Sequence, residues 1–65
     1  MTVGEKITEL RKAKGMTCQE LAKKSGVSCA TLSNWRKGKT KPNLVALKKV
    51  ADALGCPYEI LYNLL

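Results

Sequence analysis

Few residues in this sequence can do chemistry, and their distribution excludes most kinds of it. Histidine is absent, which removes the commonest general base and the commonest metal ligand. Cys18, Cys29 and Cys56 are odd in number and form no Cys-x-x-Cys pair. Neither a disulfide framework nor a zinc site is expected, and the three thiols are read as free, in a reducing compartment. With no glycine-rich phosphate loop and no paired carboxylates, the chain reads as a non-enzyme without metal or cofactor. What remains are cations and small polar groups. Arg36-Lys37-Gly38-Lys39-Thr40-Lys41 holds four cations in six residues. Its glycine lets backbone amides approach a ligand, so the segment suits contacts to phosphate.

Charge points the same way. Twelve Lys and Arg against five Asp and Glu give a net charge of +7, and small basic domains most often meet nucleic acid, less often an anionic membrane. A membrane-surface role is disfavoured, because the lysines are spread over all faces and no segment is both long and strongly amphipathic. The 65 residues leave room for one domain, spanning residues 1–65. A hydrophobic content of 45% is too rich for a disordered chain. No apolar run reaches the ~18–20 residues of a membrane span. The start, Met1-Thr2-Val3-Gly4-Glu5, lacks the regions of a signal peptide. The expectation is a soluble, cytoplasmic protein.

The groups that could contact a ligand must be positioned by helices. Gly15, Gly26, Gly38, Pro42, Gly55 and Pro57 cut the chain into five short pieces, and scattered β-branched residues give strands little support. The first piece opens with Thr2 and Glu5 at capping-box spacing, followed by Val3, Ile7 and Leu10 at helical intervals. The second opens with another box, Thr17 and Glu20, flanked by Met16 and Leu21 as a hydrophobic staple. Val27, the N-cap Ser28 and Leu32 repeat that staple in the third piece. The fourth, after Pro42 and Asn43, carries an apolar stripe of Leu44, Leu47, Val50, Ala51 and Leu54. The fifth is short and apolar, Tyr58 to Leu65. The reading is all-α, a compact bundle of five helices.

The joint between the second and third helices is the informative feature. Leu21 to Ser28 ends one helix and caps the next within about three residues, a spacing that makes the pair cross as a helix-turn-helix. Gly26 supplies the left-handed conformation such a turn needs, and Ala22 is small where the helices press together. On the third helix Ser28, Thr31, Leu32 and Trp35 gather on one side, with Trp35 read as core. Ala30, Ser33, Asn34 and Lys37 gather opposite. That outward face is slim, polar and free of carboxylates, as entry into a major groove requires.

Residues from about Ile7 to Leu61 resemble the Cro/repressor helix-turn-helix family, the XRE-type or lambda-repressor-like DNA-binding domain. The likeness is carried by Leu10-Arg11, Gly15-Met16-Thr17, Glu20-Leu21-Ala22, Gly26-Val27-Ser28 and Leu32-Ser33-Asn34-Trp35, then by Gly38-Lys39, Pro42 and Ala51-Asp52-Ala53-Leu54-Gly55. The resemblance implies a five-helix bundle that binds near-palindromic operators as a dimer and regulates transcription; the length is read as a whole regulator of Cro-like size. It assigns double-stranded DNA as the partner, with no small-molecule ligand evident. Base reading then falls to Ser28, Cys29, Ala30, Ser33 and Asn34. Phosphate contacts fall to Arg11, Thr17, Cys18, Gln19, Thr31, Arg36, Lys37, Lys39, Thr40 and Lys41.

Three positions depart from the family pattern. Cys18 stands where the family has a phosphate-touching Gln, which moves that contact towards Thr17 or Gln19. Arg36 replaces a common acidic residue that pairs with the first-helix arginine, so Arg11 must find another partner or face the phosphates. Cys29 and Ala30 stand where Gln or Arg is frequent, so direct readout leans on Asn34 and on methyl packing against thymine.

The end of the chain is too apolar for so short a helix to bury. Leu61 is expected in the core, while Tyr58, Tyr62, Leu64 and Leu65 are read as the surface of a weak homodimer strengthened on DNA. The alternative function weighed is an antitoxin-like module that uses the same apolar end to neutralise a partner protein.

Overall fold

A computed structural model describes residues 1–65 as five helices: α1 (Val3–Ala13), α2 (Cys18–Ser25), α3 (Cys29–Lys37), α4 (Leu44–Leu54) and α5 (Glu59–Tyr62). Local sequence signals set their starts. Glu5 N–H donates to Thr2 Oγ1 at 3.1 Å and Thr2 N–H donates to Glu5 Oε1 at 2.8 Å, closing the capping box of α1. α2 opens identically, with Glu20 N–H to Thr17 Oγ1 and Thr17 N–H to Glu20 Oε1, both at 3.1 Å. These bonds stabilise charged carboxylates. The Thr2 backbone N–H, then its side chain, holds the Glu5 carboxyl below its ordinary pKa, and Thr17 does the same for Glu20. Asn43 Oδ1 caps α4 by accepting Ala46 N–H at 2.8 Å.

The core is one cluster drawn from every helix. Val3 and Ile7 enter from α1, Leu21 from α2, Val27 from the turn, and Leu32 and Trp35 from α3; Leu47, Val50, Ala51, Leu54 and Leu61 complete it. The residues of both expected staples are found in or against the core. Leu21 and Leu32 are buried; beside them Val27 is buried and Met16 half-buried against the core. α3 lies chiefly against α1, and α2 against α4, so α3 is supported from behind by the first helix.

Two expectations need correction. Leu44 is 44% exposed; it stands in the first turn of α4, one turn ahead of Leu47, the first residue of that helix to reach the core. The fifth helix is not an eight-residue element. Tyr58 is its cap, and only Glu59–Tyr62 is helical. Beyond it Leu64 and Leu65 close single turns, N–H to the carbonyls of Leu61 and Tyr62, each at 3.0 Å. Leu61 is the last side chain to find the core, so nothing anchors a longer helix.

Candidate nucleic-acid interface

The α2–α3 joint is held by side chains that leave no polar group unsatisfied. Gly26 takes φ 76° and ψ 11°, the left-handed region that a β-carbon disfavours, and its N–H donates to Ala22 O at 2.8 Å. Ser25 is buried, yet its hydroxyl donates to Leu21 O at 2.8 Å and accepts Val27 N–H at 3.2 Å. One serine thus ends α2 and directs the chain into α3. Ser28 Oγ then accepts Thr31 N–H at 3.2 Å and shares a hydrogen with Thr31 Oγ1 at 2.9 Å. Together these contacts fix where α3 begins.

α1 fixes where α3 lies. Gly4, buried in the first turn of α1, meets the α3 backbone directly. A β-carbon at Gly4 would lie far inside van der Waals contact with backbone atoms of Trp35 and Arg36. Thr2 adds a polar tie at the same place, its hydroxyl donating to Arg36 O at 3.2 Å. Sequence reasoning read Thr2 only as a cap and passed over Gly4 and Ser25. A glycine on the buried side of an otherwise amphipathic helix was the available signal.

With its inner side seated, α3 presents its other side to solvent. Ala30 and Lys37 are exposed along the ridge; Ser33 and Asn34 flank it, half-buried. No carboxylate lies on the helix. Its last turn closes on Gly38, whose N–H donates to Trp35 O at 3.2 Å, while Lys39 N–H donates to Asn34 O at 2.9 Å. Arg36, Lys37, Lys39, Thr40 and Lys41 follow in one exposed strip. The single ion pair of the protein, Lys6 to Glu9 at 3.3 Å, is on α1. The cations of this strip therefore form no ion pair within the protein, and they make a positive field on this side.

The first turn of α2 borders the same side. Thr17 and Gln19 are exposed, and Ser28 is exposed at the start of α3. Thr17 N–H is bonded to Glu20 Oε1 and Thr17 Oγ1 accepts Glu20 N–H, which leaves the Thr17 hydroxyl hydrogen and the Gln19 amide to reach outward there. Other assigned residues are differently placed. Arg11 is half-buried, and its Nη1 donates to Met16 O at 2.7 Å, so this arginine finds its partner in the α1–α2 turn. Thr31 is half-buried, its hydroxyl engaged with Ser28. Cys29 leaves the outward ridge and lines a cleft between α1, α2 and α3, facing Cys18. Burial, then Cys29 itself, pushes the Cys18 thiol above its ordinary pKa, against the pull of Arg11 and Arg36.

Of the apolar residues assigned to the surface, Tyr62, Leu64 and Leu65 are exposed, with Ile60 beside them. Tyr58 is not. It is half-buried against the core, with the Lys48 ammonium 5.0 Å from its ring centroid and the Tyr62 ring edge-on at 6.4 Å. Leu64 and Leu65 line a cleft shared with Met1, Gly38, Thr40 and Lys41. The apolar tail therefore adjoins the cationic strip.

The sequence and the fold that carry this arrangement are matched in known proteins. Residues 7–61 match the Helix-turn-helix family. The chain belongs to that family. Among its relatives, an HTH-type transcriptional repressor, RghR of Bacillus subtilis, is 42% identical over 57 residues, covering 86% of this chain and 42% of that protein. The chain spans about two-fifths of the length of RghR and of a second Bacillus subtilis relative, the HTH-type transcriptional regulator RghRB, which is also 42% identical over 57 residues. Two solved structures share the whole architecture of this helix-turn-helix domain. The DNA-binding domain of the P22 C2 repressor aligns over 100% of this chain and 88% of its own, with TM-score 0.86 and 31% identity. The restriction-modification controller protein C.AhdI of Aeromonas hydrophila aligns over 91% and 89%, with TM-score 0.83 and 32% identity. No helix is long and apolar enough to cross a membrane.

Proposed function

We propose that this helix-turn-helix chain is a sequence-specific DNA-binding transcriptional regulator whose α3 enters the major groove. The observation that carries the reading is the union of a carboxylate-free exposed ridge on α3 with the unpaired cations of residues 36–41. A slim helix fits a groove about 12 Å wide, and flanking cations grip the phosphates on either side. Asn34 is the principal base reader: its amide pairs with an adenine edge, while Ser28, Ala30 and Ser33 line the groove and favour thymine methyls. Thr17, Gln19, Arg36, Lys37, Lys39, Thr40 and Lys41 hold the backbone, and Arg11 supports them from behind by fixing the α1–α2 turn. Two copies pair through Tyr62, Leu64 and Leu65 on a near-palindromic site, weakly in solution and more firmly on DNA, with recognition helices about 34 Å apart.

In-vitro selection of bound sequences with the purified protein tests this. The expected product is a two-half-site consensus, and Asn34→Ala should relax it at one base per half-site, at a cost of about 1–3 kcal/mol for that position. Recovery of random sequence, or an Asn34→Ala consensus identical to wild type, would remove the reading or the role of Asn34 respectively.

A further inference from the structure

Cys18 opens α2 and Cys29 opens α3, and their thiols share one cleft of about 300 Å3 walled by Ile7, Leu21, Arg11 and Arg36. Cys29 is near enough to the Cys18 thiol to bear on its ionisation, and both arginines lend positive charge to the same space. Cys56 has no part in this. Its neighbouring charges are Lys14 and Lys6, and it does not line the cleft. No disulfide joins any of the three thiols.

We infer that Cys18 and Cys29 form a dithiol site that a low-molecular-weight disulfide closes into an intramolecular cross-link, and that closure switches off DNA binding. The chemistry balances without a further oxidant. One thiol loses its proton and attacks a sulfur of the small disulfide, releasing one small thiol and leaving a mixed disulfide on the protein. The second thiol, as thiolate, then attacks that protein-bound sulfur and expels the other small thiol. Two protein thiols are oxidised and one small disulfide is reduced to two thiols, which carry away both protons. Arg11 and Arg36 offset part of the burial that holds the Cys18 thiol protonated, and their charge lies on the path of the attacking sulfur.

Closure is consequential because of where the two residues stand. A disulfide holds its α-carbons within about 4.4–6.8 Å, so it ties the first turn of α3 to the first turn of α2. Ser28 and Ala30 adjoin Cys29 in the chain and lie on the exposed side. Pulling Cys29 to bonding distance of Cys18 within the cleft rotates the first turn of α3, and Ser28 and Ala30 turn with it away from the groove. This second half of the inference rests on the DNA-binding reading above.

The test has two arms. In the first, reduced protein is incubated with glutathione disulfide without DNA; free thiols are then alkylated, and the digest is mapped by mass spectrometry. One alkylated thiol, at Cys56, and a Cys18–Cys29 linked peptide in monomeric protein are expected, with Cys56→Ser cross-linking as wild type does. Three alkylated thiols, a link through Cys56, or a link between chains would overturn the site. In the second arm, affinity for the selected DNA site is measured before and after oxidation. Wild type and Cys56→Ser should each lose about ten-fold or more, the size of one good base contact, and regain it with dithiothreitol. Cys18→Ser, whatever its starting affinity, should not respond. A cross-linked protein that binds as well as the reduced one overturns the switch. A reduced protein that selects no DNA overturns the reading beneath it, and the thiol map alone then decides whether the site exists.

Discussion

Gly4→Ala is the substitution whose outcome the local rules and the tertiary structure predict with opposite sign. Within a helix, replacing glycine by alanine removes backbone entropy from the unfolded chain and favours the fold by at most about 1 kcal/mol. The structure opposes it. The new methyl group meets backbone atoms of Trp35 and Arg36, and backbone cannot swing aside as the tip of a side chain can. Either α1 or α3 must move, and overpacking of this kind costs about 1–3 kcal/mol. The net expectation is a loss of about 1–2 kcal/mol, which in a domain of this size lowers the melting temperature by roughly 5–15 °C. Thermal unfolding followed by far-ultraviolet circular dichroism measures it. The displaced helix is the one read as entering the groove, so affinity for the selected site should fall further than the unfolded fraction explains. A variant as stable as wild type, or more so, would show that helix propensity prevails and that the two backbones do not meet.

Three further outcomes are expected. Lys39 holds Asn34 O through its backbone N–H, which any residue supplies, so Lys39→Ala should leave the fold intact. It should weaken operator and random DNA alike and flatten the log–log salt slope by about 0.9; a change in sequence preference instead would make Lys39 a reader. The Glu5 and Glu20 carboxyls sit below their ordinary value of 4.5. A carboxylate depressed by folding contributes stability that is complete above its unfolded pKa and is lost as pH falls through its folded one. The melting temperature should therefore decline below about pH 4.5, and less steeply in a Glu5→Gln, Glu20→Gln double variant; parallel curves would discount the two capping boxes. A Tyr62→Asp, Leu64→Asp double variant should bind a two-half-site operator more weakly and less cooperatively in a mobility-shift titration, and equal titrations would place the dimer surface elsewhere.

The starts of the first four helices were legible in the sequence because their causes are local, whereas the fifth, which has no side-chain cap, was read too long. A capping box spans four residues, a staple six, and a left-handed glycine one, so Thr2, Thr17, Ser28, Gly26 and Gly38 could be read without knowing what lies across the fold. The inward side of α3 was legible for the same reason: Leu32 and Trp35 repeat at helical spacing, and the opposite side carries no carboxylate. The basic loop after Trp35 was visible as a plain run of cations.

What the sequence could not express is contact between distant segments. Gly4 looks like an ordinary weak helix residue until α3 is laid across it, and the second bond of Thr2 ends on Arg36, 34 residues away. Arg11 was open between phosphates and an internal partner, and the folded α1–α2 turn supplies the Met16 carbonyl. Cys29 was assigned to the groove by its place in the motif, yet the cleft shared with Cys18 draws it to the flank. At the C-terminus, composition marked Tyr58 and Tyr62 alike as surface, and only the packing of one ring against the core, with Lys48 over it, separated them. Local capping and periodicity decide which residues become helix and which side of it is apolar. Which polar, glycine and sulfur groups then meet depends on how the helices are laid together, and that follows from close packing across the whole chain rather than from any short window of it.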